Sequence, residues 1–364
     1  MESEYVQPFN PLAGPDPESQ ALKVYSSLEK TWGGDFGPLI ARGLRTALLT
    51  AAHGELTLAE IPLLFAQKAL RQQLFPRLGE QEQRYWQEYD SLTPAQARQF
   101  AGPVTNKFEG YLGFSAIRRM LSCPEPLAWR NIVQEVPGIT VLINLGVNRY
   151  ATAGLMVGGL LFDSLLNDLM HFSRVHQEDA TRVLLVLDEY QGLLTDGSVP
   201  AITHALCQGR KYKVSLLLLT QLMALIPSTL RATIRGNAGT SQIFGLGPDA
   251  REVVDDIHFE DIPMGRDAAR QLVAFQKVGQ SILVRRGQPS LLVQNTPPNP
   301  AYEQASPKTI QALYQVGIAS YGLPAAQVDQ RTFERREHLL TKSSEEGQYR
   351  VRRRTKKEQE DGSS

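Results

Sequence analysis

The stretch TRVLLVLDEYQGLL, residues Thr181 to Leu194, constrains the fold more than any other part of this chain. Its apolar run Val183–Leu187 ends in two carboxylates, Asp188 and Glu189. A short continuous apolar run of this kind is typical of a strand buried on both faces of a parallel sheet. In open α/β sheets, ligands bind beyond the carboxyl ends of the strands, where these two carboxylates would lie. An acidic residue that only caps the following helix is the alternative interpretation.

Two more apolar runs predict strands that would join the first. Ile139–Leu145 follows a Pro-Gly pair, and Val214–Leu219 is followed by Thr220 and Gln221. Helix-like segments separate the runs, and strands that alternate with helices indicate parallel βαβ units with helices on both faces of the sheet. We therefore expect an α/β fold with a mostly parallel sheet. Further along, two short apolar runs around Gly287 predict a β-hairpin.

Residues 38–121 show a different pattern, with helical periodicity throughout. Ile40, Leu44 and Leu48 repeat at the spacing of one helix face. The segment Thr57–Glu60 has the composition of a capping box that opens a helix. Because no strand pattern interrupts this region, we expect an all-helical subdomain there.

Composition excludes some classes of protein. The chain has 38 Lys and Arg residues against 38 Asp and Glu residues, so its net charge indicates neither a nucleic-acid nor a membrane partner. Cys123 and Cys207 are the only cysteines, and they are far apart in sequence. This argues against a disulfide scaffold and a cysteine metal site, and it suits a reducing cytosol. The longest apolar runs, Ala153–Phe162 and Val214–Ile226, are shorter than a membrane span requires.

Three sequence segments in order carry a family resemblance: VLLVLDEYQGLL, then QGRKYKVSLLLLTQ, then IRGNAGTSQIFGLGPDA. Together they resemble the second half of the motor domain of HerA/FtsK-type P-loop ATPases, most of all the type IV secretion and conjugative coupling ATPases of the TraG/TraD kind. The resemblance covers roughly residues 5 to 298. It implies a RecA-like, mostly parallel sheet, with the helical subdomain inserted before the Walker B strand, which is Val183–Leu187 with Asp188 and Glu189 at its end.

The resemblance also implies roles for individual residues, with ATP and Mg²⁺ as cofactors. Asp188 would hold Mg²⁺ through water, and Glu189 would be the catalytic base. Gln221, at the tip of the adjacent strand, would sense the γ-phosphate. Arg210 would reach across a subunit interface toward the γ-phosphate of a neighbour. The alternative for Arg210 is a cation that stabilises the C-terminal end of a helix.

One feature of the family is missing from the printed sequence. Such ATPases need a phosphate-binding loop, G-x-x-x-x-G-K followed by Ser or Thr, and we find no such sequence here. We therefore expect this chain to be the C-terminal part of a longer or split ATPase, without the first strand, loop and helix of the core. The expected layout is a core fragment over 1–37, the helical subdomain over 38–121, the Walker B core over 122–298 and a helical, basic, partly disordered tail over 299–364.

The function that follows is part of an ATP-driven motor that moves DNA, or a protein–DNA substrate, in conjugation or type IV secretion. Expected partners are other copies in a ring, DNA, type IV secretion membrane components and a separate polypeptide that carries the phosphate loop. The expected location is the cytoplasm, peripheral to the inner membrane. One alternative is a non-catalytic ring subunit or nucleic-acid-binding module derived from such an ATPase. Another is an unrelated α/β protein in which the acidic strand end is structural.

Overall fold

The computed structural model describes residues 4–32, 37–127, 129–134, 138–175, 181–194, 198–245, 253–254, 257, 265–297, 299–300 and 306–340. The chain divides into two compact units. The helical unit consists of residues 1–128, 142–164 and 312–364, and the strand unit consists of residues 129–141 and 165–311.

Helices dominate the described residues. They are α1 (Pro17–Thr31), α2 (Pro38–His53), α3 (Ile61–Ala66), α4 (Lys68–Leu74), α5 (Glu80–Asp90), α6 (Pro94–Leu112), α7 (Ser115–Leu121), α8 (Trp129–Gln134), α9 (Val147–Val175), α10 (Ser198–Gln208), α11 (Ser228–Asn237), α12 (Arg266–Ala274), α13 (Pro307–Tyr321) and α14 (residues 325–340). The strands are β1 (Tyr5–Val6), β2 (Val183–Leu187), β3 (Val214–Leu218), β4 (Thr240–Ile243), β5 (Gln280–Arg285), β6 (Leu291–Gln294) and β7 (Leu323–Pro324).

The strands form small separate sheets, so the prediction of a RecA-like, mostly parallel sheet over residues 122–298 is wrong. Among the described residues, β2 pairs in parallel with β3, β1 pairs with β7, and β4, β5 and β6 form an antiparallel sheet of three strands. The expected hairpin around Gly287 is the β5–β6 pair.

The predicted strand Ile139–Leu145 does not form either. Its residues belong to no strand, and the Leu142 side chain is 82% exposed. The segment ends at Gly146, which has a φ of +58° and whose N–H donates to Asn144 Oδ1 at 2.9 Å. A strand forms only where an edge is available for pairing, and an apolar run in the sequence does not specify that edge.

The region from Pro38 to Leu121 is helical, and its apolar stripes meet in one core. Leu44 and Leu48 of α2 are fully buried, as are Ile61 and Leu64 of α3. Trp86 of α5 is also fully buried, and its indole N–H donates to Thr50 Oγ1 at 2.8 Å. The polar atom of this large side chain is therefore satisfied inside the core.

A buried ion pair lies next to this core. The guanidinium of Arg71 pairs with Asp90, and their side chains are only 5% and 8% exposed. Arg71 also donates to the carbonyl oxygen of Phe65 at 3.2 Å and lies over the rings of Trp86 and Tyr89. A buried charge is tolerated when it is paired and hydrogen-bonded in this way.

The C-terminal helix α14 packs within the same unit. Arg335 donates to the buried carboxylate of Glu60 at 2.8 Å, and Arg119 forms a two-oxygen contact with Asp329. Just before α14, strand β7 pairs antiparallel with β1. Residues near both ends of the described chain therefore pack together within the helical unit.

Helix α9 contains the segment Val147–Ser173, which by length and composition is apolar enough to cross a membrane. However, 67% of its apolar window is buried inside the protein. A core helix of a soluble protein passes the same test, so this segment is weak evidence for a membrane span. Residues 341–364, the last part of the expected basic tail, lie outside the described residues.

Candidate functional site: the paired ends of strands β2 and β3

The carboxyl ends of β2 and β3 lie side by side. The two strands are in register from Val183 beside Val214 to Leu187 beside Leu218. The pairing continues one residue further, because the Leu219 N–H donates to the Leu187 carbonyl at 3.0 Å. Residues that follow the two strands therefore emerge at the same edge of the sheet.

Glu189 is held between two side-chain amides at this edge. The Gln221 amide donates to Glu189 Oε1, and the Gln191 amide donates to Glu189 Oε2. The structure therefore brings together Glu189 and Gln221, which are 32 residues apart in the sequence. Each carboxylate oxygen accepts one hydrogen bond from the described residues, and a carboxylate oxygen has lone-pair sites for two donors.

The backbone at Glu189 is left-handed, with φ 49° and ψ 43°. A non-glycine residue in this region is uncommon and costs roughly 1–3 kcal/mol. The conformation turns the chain sharply from β2 into a 3₁₀-helix over Tyr190–Leu193. The turn places the Glu189 carboxylate toward the end of β3.

Tyr190 anchors this turn, and the sequence reasoning did not identify it. The side chain is 1% exposed, and its burial raises the pKa of the phenol to about 12. Its N–H donates to the Leu219 carbonyl at 3.2 Å, which ties the turn to the end of β3. The sequence prediction also did not include Gln191. Its position two residues after Glu189 is a sequence signal that could have identified it as a second hydrogen-bond donor to that carboxylate.

Asp188 has an exposed side chain at the very end of β2. Magnesium binds through one or two carboxylates together with waters and substrate phosphates, so an accessible carboxylate at this position fits part of an Mg²⁺ site. Within the described ranges, no group of three or more His, Cys, Asp or Glu side chains is placed to hold a metal by itself. Among the described residues, Asp188 is therefore at most part of a set of metal ligands.

Arg210 lies at the opposite end of the strand pair. It is exposed on a 3₁₀-helix, Gly209–Tyr212, that precedes β3. A strand rises about 3.3 Å per residue, so β3 alone separates Arg210 from Gln221 by more than about 13 Å. Gly209 is needed for the tight approach to β3, since a Cβ there would lie 2.8 Å from the Val214 carbonyl oxygen. The structure does not bring Arg210 to the Glu189 carboxylate of the same chain.

The β2–β3 pair is not buried on both faces, contrary to the sequence prediction. Four side chains on one face are between 41% and 61% exposed: Leu184, Val186, Leu217 and Leu219. Those on the other face of β2 are half-buried. Neither outer edge of this pair has a strand partner among the residues described.

Comparison with known proteins identifies no family. No protein-family model matches the chain, and no curated protein matches it. The functional argument therefore depends on the motifs and on the geometry of the strand ends.

Proposed function

We propose that this chain contributes the acidic half of an ATP-hydrolysing site in a DNA-translocating motor. The observation that supports this most strongly is the Glu189 carboxylate, oriented by Gln221 at the paired ends of two parallel strands. The proposal does not require a large parallel sheet. It requires only that the acidic residues and a polar amide lie at one edge of the strand pair, where Gln221 contacts Glu189 and Asp188 directly precedes Glu189.

The residues divide the chemistry between them in this proposal. Asp188 would hold a hydrated Mg²⁺, which neutralises charge on the ATP phosphates when it is bound. Glu189 would accept a proton from the attacking water, and Gln221 would hold the carboxylate and the water in place. Arg210 would act on the site of a neighbouring copy, because it lies too far from the carboxylate of its own chain.

The described residues supply no phosphate-binding loop, so another segment or polypeptide must provide it. The resemblance suggests that the complete assembly is a ring that moves DNA or a protein–DNA substrate. It further suggests type IV secretion membrane components as partners and a cytoplasmic position at the inner membrane. These partners and this location belong to the proposal.

The first test measures nucleotide binding by the chain alone. We expect calorimetry with ATP and Mg²⁺ to show weak binding or none, because the phosphate cradle is absent. Micromolar affinity would contradict this expectation and would indicate another phosphate-binding element within the chain.

The decisive test uses the complex purified from its source cells. We expect a co-purifying polypeptide, or a longer form of this chain, that contains the phosphate loop and hydrolyses ATP. Glu189→Gln should keep nucleotide binding and lower turnover about a hundredfold or more, because an amide cannot accept the proton. Glu109→Gln is the matched control, since Glu109 is exposed on helix α6 and should leave turnover unchanged. Normal ATP turnover in the complex with Glu189→Gln would contradict the proposed function.

The proposed role of Arg210 is tested in rings that contain both wild-type and mutant subunits. If Arg210 acts on a neighbour, Arg210→Ala subunits doped into wild-type rings should lower turnover more steeply than their share of the subunits. A loss proportional to that share would instead support the alternative role at a helix end.

A further inference from the structure

We infer that the helical unit binds a small amphipathic carboxylate, which has an apolar tail and one negative charge, in a cavity beside α14. The cavity has a volume of about 350 Å³, and small-molecule pockets typically measure about 300–1,000 Å³. Residues 122–125, which follow α7, line one side of it, and residues of β7 and α14 line the other. Every lining residue belongs to the helical unit, so this inference does not depend on the proposed ATP site.

The inner wall of the cavity suits an apolar tail. Leu323 packs against a buried cluster that includes Cys123 and Val328, which are 4% and 1% exposed. Burial raises the pKa of the Cys123 thiol to about 11, so the thiol stays protonated at neutral pH and is a poor nucleophile. A neutral buried thiol behaves as a small apolar group. This wall therefore fits a hydrocarbon chain and offers no covalent chemistry.

The outer part of the cavity carries two guanidinium groups. Arg331 pairs with Glu125 at 3.3 Å, and these side chains are 49% and 48% exposed. Arg335 donates through Nε and Nη2 to the Glu60 carboxylate and to the carbonyl oxygen of Glu55. Within the described part of the chain, no acceptor bonds to Nη1 of Arg335. A guanidinium has five N–H donors, so donors remain on both groups after the described contacts.

The charges at the cavity favour a single carboxylate. The Arg331–Glu125 ion pair joins two half-exposed groups, and such pairs are weak. A ligand carboxylate can therefore take the place of Glu125 on Arg331, while the Glu125 side chain turns toward solvent. Glu60 is 3% exposed and holds Arg335, so it does not exchange. A dianion would meet the carboxylates of Glu125 and Glu60 without a further cation among the lining residues, and an amine would meet two guanidinium groups.

Calorimetry on the full chain with octanoate, without nucleotide, tests the inference. Wild-type protein should bind octanoate with a dissociation constant of about 1 mM or lower, and it should bind octanol and octylamine about tenfold more weakly or worse. Acetate should show no measurable binding, because it lacks the apolar tail. Octanoate should also raise the melting temperature, because it binds only the folded chain.

Substitutions at the ion pair separate a ligand contact from a structural one. Arg331→Gln should weaken octanoate binding about tenfold, because it removes the charge-assisted hydrogen bond. Glu125→Gln should tighten octanoate binding about threefold, because it removes the competing carboxylate. Both variants break the same ion pair, so a purely structural role would change the affinity in the same direction. The matched control is Arg84→Gln, which breaks an exposed pair with Glu80 on α5 and should leave the affinity unchanged.

A filling variant locates the ligand within the cavity. Thr332 is half-buried on α14 and lines the cavity. Thr332→Phe should abolish octanoate binding, because its ring occupies the space of the tail, and circular dichroism checks that the variant is folded. The inference is overturned by the absence of saturable octanoate binding to the wild-type protein, by equal binding of octanol, by unchanged affinity in Thr332→Phe, or by parallel losses in Arg331→Gln and Glu125→Gln. Because no ATP is present, any of these results leaves the proposed function standing.

Discussion

Helix α2 and the β2–β3 strand pair are both rich in apolar residues, yet they bury them very differently. Leu44 and Leu48 on α2 are 0% exposed, whereas Leu184 and Val186 on β2 are 61% and 52% exposed. A helix satisfies its backbone hydrogen bonds internally, so only its one apolar face has to pack against other residues. Parallel strands need neighbours at their edges and cover on both faces, and a two-stranded sheet is marginal by itself.

This difference indicates what each unit can do alone. The helical unit has a closed core, with satisfied polar groups such as the Trp86 indole N–H. The strand pair exposes apolar side chains next to the candidate site. We therefore expect substitutions in the helical unit to change folding stability, and substitutions around the strand ends to change function.

The largest expected effect comes from the buried ion pair. Asp90→Ala leaves the Arg71 guanidinium buried without its counter-charge and should cost about 3–5 kcal/mol of unfolding free energy. Asp267→Ala in the strand unit is the control, because its partner Arg270 is 3.5 Å away and Asp267 is 93% exposed. Urea unfolding followed by circular dichroism measures both. A similar loss for the two variants would contradict the comparison.

The next largest change in unfolding free energy is expected when a buried leucine, rather than an exposed one, is replaced by alanine. Leu48→Ala should cost about 2–5 kcal/mol, because it removes buried methyl groups and leaves a cavity. Leu184→Ala removes the same atoms from an exposed position and should change stability by no more than about 0.5 kcal/mol. Denaturant titration of each variant checks this. If Leu184→Ala proved as costly as Leu48→Ala, the strand face would be covered in solution.

Two glutamate residues with a left-handed backbone conformation allow the cost of backbone strain to be compared with the contribution of side-chain hydrogen bonds. Glu55 follows α2 with a φ of 55°, and Glu189 follows β2 with a φ of 49°. Glu55→Gly should stabilise the protein by about 1 kcal/mol, since glycine adopts positive φ without strain. Glu189→Gly relieves the same strain but loses hydrogen bonds from Gln191 and Gln221, so its gain should be smaller or absent. Equal thermal stabilisation in both would show that these bonds contribute nothing.

The smallest effect concerns the contact that holds α14. The hydrogen bond from Arg119 lowers the pKa of Asp329 below its ordinary value of 3.8. Because the folded pKa is depressed, the stabilisation is present above the ordinary value and is lost as pH falls through the folded value. The Asp329 side chain is half exposed, so Asp329→Asn should cost less than about 1 kcal/mol at neutral pH. Melting temperatures measured from pH 7 to pH 2 should converge in acid, and a constant difference would contradict the assignment.

The sequence by itself determined the local structures whose hydrogen bonds close within one segment. The periodicity of Ile40, Leu44 and Leu48 predicted the helices of residues 38–121, and the turn at Gly287 predicted the β5–β6 hairpin. The two apolar runs that became β2 and β3 were also correctly placed. That Glu189 and Gln221 lie close together was an implication of the family resemblance, which places their two strands side by side.

Tertiary structure decided which strands found partners and which side chains were covered. Ile139–Leu145 is as apolar as β2, yet it stays outside every sheet, because pairing depends on an edge that the segment itself does not encode. The left-handed turn at Glu189, the second amide from Gln191 and the anchor at Tyr190 follow from packing against the end of β3.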